Sequence, residues 1–378
     1  MKWAIITGEY PPQAGGVSDY TRALSEALAA VGDEVHVWAP GASSAEQHSE
    51  VIVHRLPGRL GISSLRRLGR ELDALPTPYR ILVQYVPQAF GWKAMNVPFC
   101  VWLWSRRRTP VLVMFHEIVV ALDRSQPLRH NVLGLVTRLM AALVTRSAKE
   151  IFVSTPAWAR FTRTFWCGGR TAIWLPVPST IGEDVDVSQA QSVRRRLTGS
   201  QETLIGHFGT YGPYSREVLR AVVSALLTRD EHRRVLLLGR GSQLFAHDFA
   251  TLDAALRDRI IVLDDLPVEE VRLHVAACDL VFQPYKDGIT TRRTSSMAAL
   301  ALGIPVVTNM GRLSEPLWRE LGGVALAQDA SPEAFIHTIE ELLRCPKKKA
   351  EQARKGASLY ASQFAIRNTI QALRGISQ

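Results

Sequence analysis

Strand-like runs and helix-like stretches alternate along almost the whole chain, and that alternation restricts the fold more than any other feature. The runs are "WAIIT", "EVHVWAP", "RILVQYV", "PVLVMFHE", "EIFVST", "TLIGHFG", "RVLLLG", "RIIVL", "LVFQPY" and "IPVVT". They are rich in Val, Ile and Leu and do not alternate with polar residues, as expected of parallel strands covered on both faces. Between them lie segments apolar at helical spacing, such as "SDYTRALSEALAAVGD" and "PVEEVRLHVAACD". Strand and helix in turn predict βαβ units and an α/β fold with doubly wound parallel sheets.

The pattern runs twice. A first series extends from Trp3 to about Pro178, and a second opens at "ETLIGHFGTYG"; the polar "PVPSTIGEDVDVSQAQS" between them predicts a linker near 176–190. A chain of 378 residues is long for one core. Two Rossmann-like domains are therefore expected, over 1–180 and 181–360, with the closing 361–378 helical. Hydrophobic residues at 47% and charged residues at 21% argue against disorder. Cys100, Cys167, Cys278 and Cys345 form no CxxC or Cys/His spacing, which suggests reduced thiols in a cytoplasmic protein. "MKWAIITGEY" reads as a strand and loop rather than a secretion signal, and no apolar run is long enough to span a membrane.

The net charge of +10 is uneven: residues 1–180 hold 20 basic against 12 acidic side chains, the remainder 25 against 23. A basic first half suggests an anionic partner there. "LGISSLRRLGREL" and "WLWSRRRTP" set basic residues beside apolar and aromatic ones, which suits an anionic lipid surface or an ordinary solvated helix face. No nucleic-acid-binding module accompanies the charge, so no nucleic-acid partner is expected.

Several loops could carry chemistry. In "GEYPPQAGGVSDYTRALSEAL", Gly15 and Gly16 stand at a helix start, where free N–H groups favour an anion and small residues permit close approach; a tight βα turn accounts for them equally. "GHFGTYGPYSREVL" repeats the layout with Gly209 and Thr210. His116 follows the strand "PVLVMF", at the carboxyl end where such sheets bind ligands. Asp184 and Asp186 form a D-V-D in the linker, read as a solvated loop. HExxH, GxSxG and the P-loop are absent, so no protein-held catalytic metal and no cofactor are expected. Last, "DGITTRRTSSMAALALGIPVVT" places Thr290, Thr291, Arg292, Arg293, Thr294, Ser295 and Ser296 at the mouth of a buried helix.

Taken in order, "GEYPPQAGGVSDYTRALSEALAAVGDEVHVWAP", "FHE", "VSTPAWAR", "GHFGTYG", "LPVEEVRLHVAACDLVFQPYKDG" and "ALALGIPVVT" resemble the GT-B glycosyltransferases of family 4. The resemblance covers nearly the whole chain. It implies two Rossmann-like domains facing a central cleft, a nucleotide-sugar held mainly by the second, and a terminal helix crossing back to the first. It implies Gly15 and Gly16 facing the donor phosphates and sugar, His116 beside the sugar, Gly209 and Thr210 on the diphosphate, and Leu266 and Pro267 at the nucleobase.

One departure is plain. The family carries two Glu separated by seven residues before its Ala-rich helix, for the transferred sugar and the ribose. Anchored on Gly303, those positions fall on Thr290 and Ala298; Asp287 is the nearest carboxylate. The chain thus resembles a variant in which Arg292 and Arg293, with Thr290, Thr291, Ser295 and helix-start N–H groups, hold the diphosphate. His116, Arg292 and Arg293 are the catalytic candidates.

The implied activity is sugar transfer from a UDP- or GDP-linked donor to an acceptor hydroxyl, retaining, in bacterial polysaccharide or glycolipid assembly. A lipid-linked acceptor and peripheral contact with the inner face of an anionic membrane fit the basic first half. A nucleotide-sugar 2-epimerase, which would need cleft carboxylates, and an inactive nucleotide-sugar-binding protein are the alternatives. An NAD dehydrogenase fits less well, because the glycine fingerprint is incomplete.

Overall fold

The computed structural model describes residues 1–41, 45–48, 50–165, 171–249 and 254–376; Cys167 lies outside them. Contacts divide the chain into two units, Met1–Pro176 with Thr369–Gln378, and Val177–Asn368. Each is an α/β unit around its own largely parallel sheet.

The first sheet has eight strands: β1 (Lys2–Thr7), β2 (Glu34–Pro40), β3 (Ala45–His48), β4 (Val51–Leu56), β5 (Arg80–Tyr85), β6 (Val111–Phe115), β7 (Glu150–Val153) and β8 (Ile173–Trp174). Their order is β3-β4-β2-β1-β5-β6-β7-β8, and β3 runs antiparallel at one edge. The second sheet is parallel throughout: β9 (Thr203–Phe208), β10 (Arg233–Leu238), β11 (Ile260–Leu263), β12 (Leu280–Gln283), β13 (Val306–Asn309) and β14 (Ala325–Ala327), in the order β11-β10-β9-β12-β13-β14. The central strands are buried along their length, which explains their unbroken apolar sequences. β4, near an edge, alternates buried and half-buried positions. β3, β8 and β14 are short, and none of these four announces itself by an apolar run.

Each sheet reverses its winding once, between β1 and β5 in the first and between β9 and β12 in the second. The loops leaving those strands border the crevice where open α/β sheets bind ligands. Asp186, in the segment read as a loop, caps the helix Val187–Leu197 by accepting from Ser188 N and Gln189 N at 2.8 and 3.2 Å. At the chain's other end Arg80 of β5 donates to the carbonyls of Leu373 and Ile376 at 3.1 and 2.7 Å, tying the last residues into the first unit.

Candidate functional site

In the second unit the crevice is built by the loops after β9 and β12, which are bound together. Gln283 Nε2 donates to the carbonyl of Phe208 at 2.8 Å, and His207 Nδ1 to that of Phe282 at 3.0 Å. That bond puts the His207 proton on Nδ1 and leaves Nε2 as an acceptor. Burial drives its pKa down to about 4, so the ring is neutral at ordinary pH. Gly209 follows with φ of 154°, and Gly239, after β10, lies so near that a Cβ there would stand 2.5 Å from the Gly209 carbonyl oxygen. Only glycine permits that approach at a positive φ. Thr210 is exposed beyond it, and Pro213 begins a long helix, Pro213–Arg229.

The loop after β12 leads into the helix Thr294–Ala301. Its Ser295 hydroxyl lies against Gly209, 3.7 Å from where a Cβ would be. Tyr285 ties the loop down: its hydroxyl bonds Ser295 and Ser296, each at 2.9 Å, and the Arg293 guanidinium lies 4.5 Å from its ring centroid. Thr290 and Thr291 are fully buried, and Arg292 and Arg293 are half-buried. The buried Glu315 carboxylate accepts from Thr291 N at 3.1 and 3.2 Å, Thr291 Oγ1 at 2.8 Å and Trp318 Nε1 at 2.9 Å. A carboxylate therefore does stand beneath the arginine loop, supplied from a later segment. His207 Nε2 and Thr290 Oγ1 are buried without a hydrogen-bond partner among the described residues.

Three candidates, Asp287, Leu266 and Pro267, make none of these contacts. Asp287 pairs with the exposed Arg312 at 3.2 Å, and its carbonyl accepts from Leu313 N at 3.0 Å, so it anchors a neighbouring loop. Leu266 and Pro267 follow β11, two strands from β9; nearby Asp264 accepts from Gly241 N at 3.1 Å, linking that loop to the turn beside Tyr211.

The first unit carries the remaining candidates. The helix Gly16–Ala30 leaves the loop after β1, and its first N–H groups are already occupied. Glu9 Oε1 accepts from Val17 N and Ser18 N at 3.1 Å each. The free anion site expected at Gly15 and Gly16 is thus held by the chain's own carboxylate, whose pKa burial raises against those two N–H bonds. A Cβ on Gly15 would collide with that carboxylate, whereas Gly16 faces open space. His116, at the end of β6, is buried, with Nε2 2.8 Å from Gln84 Oε1 of β5. Its ring meets the edge of Tyr20 from the Gly16 helix, centroids 4.9 Å apart. Its carbonyl accepts from Trp158 Nε1 at 3.1 Å. His116 and the glycine loop are thus linked through one tyrosine.

The two units match two family models in sequence: residues 14–174 match Glycosyltransferase Family 4, and residues 203–345 match Glycosyl transferases group 1. The chain is a family 4-like GT-B glycosyltransferase. Its fold matches those of solved enzymes at low identity. HepE of Anabaena, solved with UDP and glucose, is 18% identical with a TM-score of 0.71, over 99% of this chain and 98% of that one. Sucrose-phosphate synthase from Thermosynechococcus elongatus is 17% identical with a TM-score of 0.69, over 99% and 97%. WaaG, a glycosyltransferase involved in lipopolysaccharide biosynthesis, is 12% identical with a TM-score of 0.65, over 99% and 100%. No protein of curated function matches the chain in sequence. The glycosyltransferase has, among its described residues, no group of three or more His, Cys, Asp or Glu that could hold a metal ion, and no helix long and apolar enough to cross a membrane.

Proposed function

We propose that this glycosyltransferase moves a sugar, with retention, from a nucleoside diphosphate to an acceptor hydroxyl, and that the loop Thr290–Ser296 holds the departing diphosphate. The observation that supports this reading most directly is that Ser295, in the same loop as Arg292 and Arg293, lies against Gly209 at the winding reversal of the second sheet. The leaving group gains negative charge as the glycosidic bond breaks, and fixed guanidinium, hydroxyl and helix-start N–H groups stabilise that charge. Gly209 and Thr210 approach the phosphates, and the backbone at Leu266 and Pro267 takes the base. His116, Gly15 and Gly16 serve the sugar. In a retaining reaction of this kind the departing phosphate accepts the acceptor's proton, so no protein carboxylate is required as base.

UDP is the favoured nucleotide, because HepE was solved with UDP and with UDP-glucose. The acceptor is a lipid-linked sugar of bacterial polysaccharide or glycolipid assembly, met from the cytoplasmic side at the surface of an anionic membrane. A thermal-shift screen of UDP- and GDP-sugars, followed by a nucleoside diphosphate release assay with lipid-linked acceptors, tests this. A donor that stabilises the protein and is turned over supports it. A protein that binds a donor and releases no diphosphate with any acceptor would sink it.

A further inference from the structure

The longest helix of the first unit, Leu128–Ser147, has two apolar faces. The inner one, with Met140, Ala141 and Val144, packs into the unit. The outer one is bare: Leu128 is 80% exposed, Val132 46%, Leu135 59% and Leu139 53%. At 100° per residue these four fall within about 60° of arc and form a stripe about 16 Å long. A single exposed leucine is ordinary, but four branched side chains in line mark a contact surface.

Charge indicates what covers it. The helix contains Arg129, Arg138 and Arg146 and no Asp or Glu. Arg129 and Arg138 flank the stripe on opposite sides, and Arg146 continues its line. Arg138 donates to the carbonyls of Val120 and Gly134 at 3.0 and 2.7 Å, partners that do not neutralise it. The adjacent helix Val97–Ser105 exposes Val101 and Trp104, with the Arg107 guanidinium 4.3 Å from the Trp104 ring centroid. In the loop ahead, Leu122 and Arg124 are exposed beside one acid, Asp123. A second copy of the chain would set these arginines against their own kind. An apolar stripe between cationic shoulders fits the headgroup boundary of an anionic bilayer. The segment Ile62–Asp73, whose sequence also suggests such a helix, buries Leu65, Leu68 and Leu72 in the core and keeps no leucine stripe for lipid.

We propose that the helix Leu128–Ser147 is a docking surface for an anionic lipid bilayer, with its outer leucines in the headgroup boundary and its arginines on lipid phosphates. This deepens the membrane reading given above and rests on it for the acceptor alone. The test is co-sedimentation of the full chain with phosphatidylcholine vesicles, with and without phosphatidylglycerol. Wild type should bind the anionic vesicles only. Leu135→Glu/Leu139→Glu should lower partitioning by about tenfold or more. Arg124→Glu/Arg129→Glu should lower it by a similar factor and flatten its salt dependence. Circular dichroism and thermal midpoints should not move, since the altered side chains are exposed. Absence of binding, equal binding to neutral vesicles, undiminished binding by the leucine variant, or a concentration-dependent dimer abolished by that variant would each overturn the proposal. UDP-sugar binding, followed by thermal shift in the same preparations, separates the two readings. Its absence from wild type would count against the donor site and leave the vesicle result standing.

Discussion

Glu315→Gln probes how the arginine loop is held. The carboxylate, 5% exposed, receives Thr291 N at 3.1 and 3.2 Å, Thr291 Oγ1 at 2.8 Å and Trp318 Nε1 at 2.9 Å. An amide offers one accepting oxygen and one donating nitrogen. With its oxygen toward Thr291, its NH2 meets the indole N–H; turned over, its NH2 meets the Thr291 N–H. Either way one buried N–H faces the NH2 of the amide in place of an accepting oxygen, at a cost of about 1–3 kcal/mol. The surviving bonds lose their charge assistance, which accounts for roughly half their strength. The total is about 2–4 kcal/mol, concentrated where Thr291 enters the loop. Even about 2 kcal/mol corresponds to roughly 30-fold in a local opening equilibrium. Hydrogen–deuterium exchange of the peptide spanning 286–297 should therefore accelerate by at least about that factor, while β5 and β6 in the first unit keep their protection. Donor affinity should fall with it, because Thr290, Arg292 and Arg293 flank the released residue. Unchanged exchange in that peptide would refute the reasoning, since Glu315 would then hold nothing.

Arg293→Ala should reduce diphosphate release by about a hundredfold, in line with the loss of one transition-state donor, with a nearly unchanged unfolding midpoint; near-normal turnover would remove Arg293 from the site. His207, with a pKa of about 4 in the fold against an ordinary 6.5, binds its proton more readily in the unfolded chain between those values. Its contribution is complete above pH 6.5 and is lost as pH falls toward 4, on the order of 3 kcal/mol in all. His207→Asn, which can still donate to Phe282, should lose correspondingly less stability between pH 7 and pH 4.5 in urea titrations, and an identical loss would be contrary evidence. Gly239→Ala, at φ of 110° and facing the Gly209 carbonyl, should cost at least about 1–3 kcal/mol by thermal or urea unfolding and weaken donor binding; a neutral result would mean the two turns move apart freely.

Much of the architecture was legible because buried parallel strands must be apolar on both faces. "RILVQYV" and "LVFQPY" are such strands, and both border a winding reversal. β4 was hidden by its position near an edge, where two of its six side chains are less buried and the apolar run breaks up at His54 and Arg55. In the site, local features were readable: the glycines at helix starts, His116 at a strand end, the hydroxyl-rich mouth of the Thr294 helix. Partners distant in sequence were not. Glu9 lies only six residues before Gly15, yet nothing in "GEYPPQAGG" shows that its side chain turns back onto the helix it precedes.

The same logic bears on the missing acids. A motif at fixed spacing works when both side chains come from one loop. Here Thr290 and Ala298 occupy those positions, and both are fully buried. Neither presents a side chain to solvent, so a glutamate at either would bury a charge unless it gained partners. The loop has instead put its charge on Arg292 and Arg293 and placed its carboxylate, Glu315, underneath, against Thr291. A negative charge in that buried position holds the backbone where the loop turns into its two arginines. On the proposed reading, in which this loop meets a departing diphosphate, an acid facing the crevice would oppose the charge that develops there, whereas one buried under Thr291 does not face it.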